Sequence, residues 1–460
     1  MLRLWNTATK RLEDVRPITP GRIGFYACGP TVYQRAHIGN LRAYVMEDVV
    51  RRALTYLDNL NVKHVMNITD VGHLTDDADE GEDKLEKAAR EEGATAWDVS
   101  QMYTRKFTDD LKRLNILEPS VMPKATDHIA EQIELVKTLE EKGFTYRTND
   151  GVYFDTSKLP SYGSFGGQRL VDKEAGARVE TNPEKLHPSD FALWKFSPAD
   201  AKRQMEWESP WGVGFPGWHI ECSAMSRKEL GQPFDIHAGG VDHVPVHHEN
   251  EIAQSVAAYG IPLANHWMHV EFLLVDGQKM SKSLKNTYSL DDLREKGIDP
   301  AAYRLFLLGA HYRSKQNFTW EAVHGASQAL LRLQRVVRSW DKPATGCADL
   351  ETAFRAAIED DLNTPEALAV LWKTIDSDYP TSAKASTVLW MDRVLGLMLD
   401  EVVAVPLMIP VEVKQLADTR WKARQERDWQ ASDKLRDELL AKGWEVDDGK
   451  EGYVLKQVSR

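Results

Sequence analysis

A chain of 460 residues with 58 basic and 70 acidic side chains carries a formal net charge of −12. As a whole it repels polyanions, and any nucleic-acid partner must meet a local basic surface, because charge is screened beyond about 8 Å at physiological salt. At roughly 150 residues per domain the length predicts about three domains, excluding a peptide hormone, a knottin or a single-module binder, and 42% hydrophobic with 28% charged residues excludes a disordered or collagen-like chain.

The opening, MLRLWNTATKRLEDVRP, is charged and lacks the apolar stretch of a secretion signal. No later segment approaches a membrane-spanning run, so a cytoplasmic location is expected. Residues 21–28, GRIGFYAC, read as a strand running into a Gly-Pro turn, residues 41–57 have apolar positions at helical spacing, and residues 62–69 read as a second strand. Strand, helix and strand in that order predict a right-handed crossover in a parallel sheet, and such sheets bind nucleotides beyond their strand C-termini. The acidic run 76–93 does not match the calcium loop of an EF-hand and is expected to be a solvated loop and exposed helix. An amphipathic helix over 127–143 and a hairpin over 146–155, turning at Asn149, Asp150 and Gly151, follow. The loop GSFGG at 163–167 is too short and irregular for a phosphate cradle and reads as a flexible connection.

A second mixed segment spans 217–311, with a strand expected over HVEFLLV at 269–275. From Trp320 to about Leu399 the pattern is helical, with Leu330, Leu331, Leu333 and Val336 on one face and a break at Asn-Thr-Pro, 363–365. A linker at 409–413 leads to two short charged helices and a Gly-punctuated tail. No repeat at solenoid spacing is present.

Three groups of residues point to chemistry. The cysteines Cys28, Cys222 and Cys347 are odd in number and far apart, which fits a reducing compartment and argues against a disulfide framework. Two of them, with the cluster HVPVHHENE at 243–251, form a candidate zinc set of thiolate, imidazole and carboxylate. Pro245 suits a helix N-terminus, so His247 and Glu251 fall four apart on one face, although spacing alone also admits His248. In CGPTVYQRAHIGN, residues 28–40, a strand gives way to a helix near Gly39, where the helix dipole, backbone N–H groups and His37 face an anion. In DGQKMSKSLKN, residues 276–286, Lys279 and Lys282 follow a strand and can neutralise charge on transferred phosphate. Each feature alone also has an ordinary reading: a buried thiol, a polar surface pair, a turn histidine, a solvated lysine loop.

Together, HIGN and KMSKS resemble the HIGH and KMSKS signatures of class I aminoacyl-tRNA synthetases, and within that class the chain is similar to the cysteinyl-tRNA synthetase family. The resemblance extends through FYACGPTVY, NITD, GARVE, FALWK, SPWGVGFPGWHIECSAM, FDIHAGGVDHVPVHHENEIAQS, KMSKSLKN, HYRS and the DWQASDKLRDEL tail. It implies an α/β fold: a doubly wound, Rossmann-like catalytic domain, then an α-helical bundle and a small C-terminal domain. The expected divisions are 1–118 and 217–312 for the two catalytic halves, 119–216 for a connective insertion, 313–405 for the bundle and 406–460 for an anticodon-binding region.

The resemblance also implies roles. Zinc would be held by Cys28, Cys222, His247 and Glu251, which selects His247 over His248. ATP, with Mg2+, would meet His37, Asn40, Gly240, Asp242 and Lys282, while Lys279 would share the stabilisation of the transition state. Thr69, Trp218 and His219 would lie near the cysteine. The basic stretch 420–442, with Arg424, Arg427, Lys434 and Arg436, would contact tRNA(Cys), and a monomer is expected. The reaction implied is ATP-dependent joining of L-cysteine to tRNA(Cys) through cysteinyl-adenylate.

Two signature positions depart from the family pattern: Asn40 replaces the second His of HIGH, and Lys285 stands where a Gly usually follows KMSKSL. NITD also continues into an unusual VGHLTDDADEGED. A ligase joining cysteine to an amino sugar, as in mycothiol synthesis, resembles the catalytic half only and leaves the C-terminal helices without purpose. A non-catalytic tRNA-binding paralogue is disfavoured because both lysines and all four zinc candidates are present.

Overall fold

The computed structural model describes the chain except residues 74–82, 168–181, 199–202, 282–283, 406–407, 450–451 and 458–460. At its centre four parallel strands lie in the order Ala264–Val270, Phe234–Gly240, Arg22–Ala27 and Asn61–Met66. Both faces are covered, as an all-parallel sheet requires. Side-chain alternation divides the strand Arg22–Ala27: Phe25 and Ala27 join the core with Val45, Val49 and Val50 of the helix Ile38–Tyr56. Tyr26, with Cys28 just beyond the strand, joins the opposite core with Cys222 and Trp267.

The chain leaves Arg22–Ala27 toward one sheet edge and re-enters on the other side at Phe234–Gly240, which creates a switch point between those two strand ends. Between them, a four-stranded antiparallel sheet (Thr145–Arg147, Gly151–Phe154, Phe191–Phe196, Gly214–Pro216) packs on the helix Ile129–Glu141. The expected hairpin is the first pair of these strands. GSFGG is not a loose connection. The N–H groups of Gly163 and Gly166 each donate to the Glu249 carboxylate at 2.8 Å, and the buried Phe165 ring stands edge-on to Trp267 and His269.

HVEFLLV is likewise not one strand. It splits into the end of Ala264–Val270 and a separate strand, Leu273–Val275, which pairs with Gln278–Lys279 and Gln316–Phe318. The break is organised by Arg42, whose buried guanidinium donates to the carbonyls of Glu271, Phe272, His311 and Ser314 at 2.7 to 3.1 Å. One side chain thus gathers four carbonyls at the break, two of which, Phe272 and His311, also accept from the backbone N–H groups of Gln316 and Ser314.

Helices Trp320–Arg338, Ala348–Glu359, Thr364–Asp376 and Thr381–Leu395 follow. The first buries Val323, Leu330, Leu333 and Val337; Val336 is half-buried and packs at the edge of that core, and Leu331 is half-buried. Asn363 caps the helix after the Asn-Thr-Pro break by accepting from the Glu366 N–H. Beyond Pro410, helices Val411–Gln425 and Trp429–Ala441 pack on an antiparallel hairpin, Trp444–Asp448 with Tyr453–Gln457, where the sequence had shown a plain tail. No helix among the described residues is long and apolar enough to cross a membrane.

Candidate active site

A cavity of about 360 Å3 opens at the switch point. Cys28, from the end of the first core strand, Cys222, from the first turns of the helix Trp218–Leu230, and His247 line its floor. Glu251 lies behind them on the helix Glu249–Tyr259, which a π-helical turn, Val244–His248, precedes. All four are buried, and their ligand atoms lie within 4.8 Å of one another. His247 Nε2 is 3.1 Å from Glu251 Oε1 across one helical turn.

Cys28 and Glu251 also belong to a second cluster, with His237 and His248. Neither of those histidines lines the cavity. They orient the first cluster instead: His237 Nε2 sits 2.8 Å from Glu251 Oε2, and His248 Nε2 lies 3.3 Å from Cys28 Sγ. A chain of contacts continues from His248 through His269 to Thr7, each link 2.7 Å.

The electrostatics of the first cluster fit a divalent cation. Burial disfavours a charged Glu251, yet His237 and then His247 hold its pKa down at about 2. Burial likewise opposes a charged His247, but Cys222 and Glu251 lift it to about 10. Cys222 falls to about 7 through its hydrogen bond with Cys28, against burial. Burial and then Cys222 push the Cys28 thiol up, so Cys222 and Glu251 are the two groups that lean toward the anion; a cation held by all four would draw off the Cys28 proton and leave the imidazole neutral.

His219 lies one layer behind the cavity wall, beside two residues that line it. It is buried behind His247, its Nδ1 2.9 Å from His247 Nδ1, and does not line the cavity. Its position orients an imidazole rather than meeting a substrate. Thr69 and Trp218 do line the cavity. Thr69 accepts from Asn67 Nδ2 at 3.1 Å, while Asn67 Oδ1 accepts from the Gly29 N–H, so NITD braces the CGPT loop. The half-buried Trp218 ring is 4.8 Å from the His247 ring. Sequence reasoning missed His73, which lies in the unusual stretch after NITD. Its Nε2 is 2.6 Å from the buried Glu221 carboxylate, tying that stretch to the helix that carries Cys222.

On the opposite wall, His37 caps the helix Ile38–Tyr56. Its Nδ1 accepts from the Asn40 N–H, and Asn40 Oδ1 accepts from the His37 N–H, both at 3.2 Å. This reciprocal cap uses Asn40 fully as N3 residue and leaves its amide NH2 as a donor. Burial lowers the His37 pKa despite Asp242 nearby, so the ring is neutral, accepts at Nδ1 and presents Nε2–H. A Cβ at Gly39 would meet the tip of the flexible Met280 side chain, with the His37 ring next nearest at 3.1 Å. Gly240 and Asp242 line the same cavity, beyond the strand Phe234–Gly240.

Lys279 is exposed at the cavity mouth, its ammonium 4.8 Å over the Phe272 ring. Lys282 lies outside the described residues, as do the segments 76–82 and 176–180. Asn286 braces the lysine loop, accepting from the Ser281 N–H at 2.8 Å. Lys285 sits at φ +50°, left-handed backbone that favours glycine, which is a physical reason for the Gly common at this position in the family.

The C-terminal basic residues are interleaved with acids. Arg424 pairs with Asp448 at 3.3 Å and Arg436 with Asp433 at 3.1 Å, while Arg427 and Lys434 are exposed.

A nucleotide-type sheet interrupted by an insertion, with signature loops facing each other across its switch point, is the architecture of a class I aminoacyl-tRNA synthetase. Solved structures share the fold: a Mycobacterium tuberculosis methionyl-tRNA synthetase with methionyl-adenylate (TM-score 0.54, 16% identity, 83% of this chain and 91% of that one), and an Agrobacterium radiobacter LeuRS in complex with tRNA and LeuAMS (TM-score 0.58, 13% identity, 84% and 85%). The family model described as tRNA synthetases class I (C) catalytic domain matches residues 14–328, and a DALR domain model matches 353–376.

The chain belongs to the cysteine–tRNA ligase family of these enzymes. It is 51% identical to cysteine–tRNA ligase 1 of Burkholderia lata over 99% of this chain and 96% of that protein. To the cysteine–tRNA ligase of Thermus thermophilus it is 43% identical over 98% of both.

Proposed function

We propose that this chain charges tRNA(Cys) with L-cysteine in two steps, using ATP and a zinc ion held by Cys28, Cys222, His247 and Glu251. One observation carries the reading: two sulfurs and an imidazole on the floor of a cavity walled by the two signature loops converge with a carboxylate just behind them. The names of the relatives and their near-complete coverage support the same substrates.

Bound there, zinc supplies a soft Lewis acid that takes the substrate's sulfur as thiolate. The need for such a group follows from the chemistry of selection. Cysteine differs from serine by one atom, and pocket size alone falls short of the roughly ten-thousandfold discrimination that translation requires. A thiol loses its proton far more readily than a hydroxyl, so recognition of the anion separates the two.

Trp218 and Thr69 frame the amino acid, and His219 and His237 hold the orientation of His247 and Glu251. The nucleotide lies toward Gly240 and Asp242, with its phosphates at His37, Asn40 and the helix N-terminus. The cysteine carboxylate attacks the α-phosphorus in line, pyrophosphate leaves, and His37, Lys279 and Lys282 stabilise the developing charge. The terminal ribose hydroxyl of the tRNA then attacks the mixed anhydride, while the C-terminal helices with Arg424, Arg427, Lys434 and Arg436 hold the rest of the RNA. Positioning does most of the work, and no side-chain nucleophile takes part.

Cysteine-dependent ATP–pyrophosphate exchange, followed by charging of tRNA(Cys) and measurement of bound metal, tests the reading. Exchange and charging with stoichiometric zinc are expected. Exchange without charging would favour the amino-sugar ligase, and no exchange at all would overturn the proposal.

A further inference from the structure

The side chain of Thr7 has no part in the reaction as described so far, yet a row of hydrogen bonds joins it to the four candidate metal ligands. Thr7 follows the strand Arg3–Asn6 and is half-buried, next to the exposed Ala8. Its N–H donates to the Trp267 carbonyl at 2.9 Å, and Asn6 Oδ1 accepts from the Trp267 N–H at 3.1 Å, which pins the turn to the strand that carries His269. From there Thr7 Oγ1 lies 2.7 Å from His269 Nδ1, His269 Nε2 lies 2.7 Å from His248 Nδ1, and His248 Nε2 lies 3.3 Å from Cys28 Sγ. Both imidazoles are buried, and every ring nitrogen in the row is used. Glu251 Oε1, 3.9 Å from His248 Nε2, is too distant to compete.

A neutral imidazole has one N–H and one bare nitrogen, so hydrogens can be arranged along this row in only two orders, opposite in sense. In one, Cys28 donates its S–H to His248, and Thr7 accepts from His269. In the other, the Thr7 hydroxyl donates to His269 Nδ1, His269 Nε2–H donates to His248 Nδ1, and His248 Nε2–H donates to Cys28. A sulfur bound to a cation has no hydrogen to give. Only the second order then fits, and the Thr7 hydroxyl stands at its head.

Building on the zinc reading above, we propose that Thr7 is a positioning residue for the metal centre: its hydroxyl fixes the tautomers of His269 and His248 and so keeps an N–H directed at the Cys28 sulfur. That N–H draws charge from the thiolate and holds it in place as a ligand. Removing the hydroxyl takes away the first of the three donors that hold this order, and weakens the other two through the same row.

Full-length wild type, Thr7→Val, Thr7→Ala and Thr7→Ser test it. Valine keeps the shape of threonine and serine keeps the hydroxyl, while alanine remains informative if the valine form fails to fold. Zinc affinity, measured by competition with a chromophoric chelator, is expected to fall about tenfold in Thr7→Val and Thr7→Ala and to stay within about twofold of wild type in Thr7→Ser. With cobalt in place of zinc, the near-ultraviolet sulfur-to-cobalt charge-transfer band is expected to move to longer wavelength in Thr7→Val and Thr7→Ala, because a thiolate relieved of its N–H gives up an electron more easily. Thr7→Ser is expected to keep the wild-type band. Either readout unmoved in a folded Thr7→Val or Thr7→Ala protein overturns the assignment; lost affinity with an unmoved band marks a merely structural role. A Thr7→Ser protein that behaves like Thr7→Ala also overturns it, since the methyl and not the hydroxyl would then be responsible. Wild-type protein that binds no zinc, or that binds it equally well after Cys28→Ser, defeats the zinc reading itself, a separate and recognisable failure.

Discussion

Glu47 offers a measurable test of how the core beneath the nucleotide site is built. It lies on the helix Ile38–Tyr56, fully buried, and neither carboxylate oxygen has a hydrogen-bond partner among the described residues. Burial pushes its pKa from 4.5 up to about 8. The folded protein therefore keeps a proton that the unfolded chain releases above pH 4.5. Stability is unaffected by this group below that value, falls as pH rises from about 4.5 to about 8, and is flat beyond. Each pH unit in that window costs about 1.4 kcal/mol, so at pH 7 the deficit is about 3 kcal/mol. Glu47→Gln removes the titration while keeping the shape. The variant should match wild type near pH 4.5 and exceed it by about 2 to 3 kcal/mol at pH 7. Paired denaturant titrations at pH 5, 6, 7 and 8, following the transition of the catalytic domain, provide the readout. A stability gap that does not widen with pH, or a variant less stable at pH 7, would refute the reasoning.

Cys222→Ser should lose bound metal and cysteine activation together, and normal cysteine affinity in a metal-free variant would contradict its assignment as a ligand. Lys282→Ala should slow adenylate formation while sparing cysteine binding, as single-turnover measurements would reveal; an unaffected rate counts against it. Arg42→Met removes a donor from four carbonyls and leaves those of Glu271 and Ser314 without this partner, while Phe272 and His311 keep backbone N–H donors; it should lower unfolding free energy by about 2 kcal/mol or more, with an unchanged denaturation midpoint as the contrary result. Lys285→Gly relieves left-handed backbone at φ +50° and should stabilise the lysine loop by about 1 kcal/mol, seen as slower proteolysis there.

The catalytic architecture was legible because its signals are local and periodic. Strand, turn and helix around HIGN are written in consecutive residues, and the four-residue step from His247 to Glu251 fits a shared helix face, although the choice between His247 and His248 came from the family resemblance and not from spacing. Contacts made across the fold left no such mark. Nothing near GSFGG announces that two of its N–H groups will meet Glu249, more than eighty residues later. The apolar run HVEFLLV reads as one strand because periodicity cannot see Arg42 taking the carbonyls at the break. His219 sits beside Trp218 in sequence, but consecutive helical residues point in different directions, and only one of the pair faces the cavity. In the tail, Trp444, Val446 and Leu455 are apolar positions of strands too short and charged to stand out from a loop.

The candidate ion site also sets an order of events during synthesis. Cys28 and Glu251 are separated by 223 residues, with the whole connective insertion between them. A nascent polypeptide leaving the ribosome holds one thiol of the set until the helix Trp218–Leu230 emerges, and a lone sulfur makes no chelate. An ion held by these four side chains would therefore be captured only after both halves of the interrupted sheet had been translated and joined, and a prematurely terminated product that ends within the insertion would lack the set.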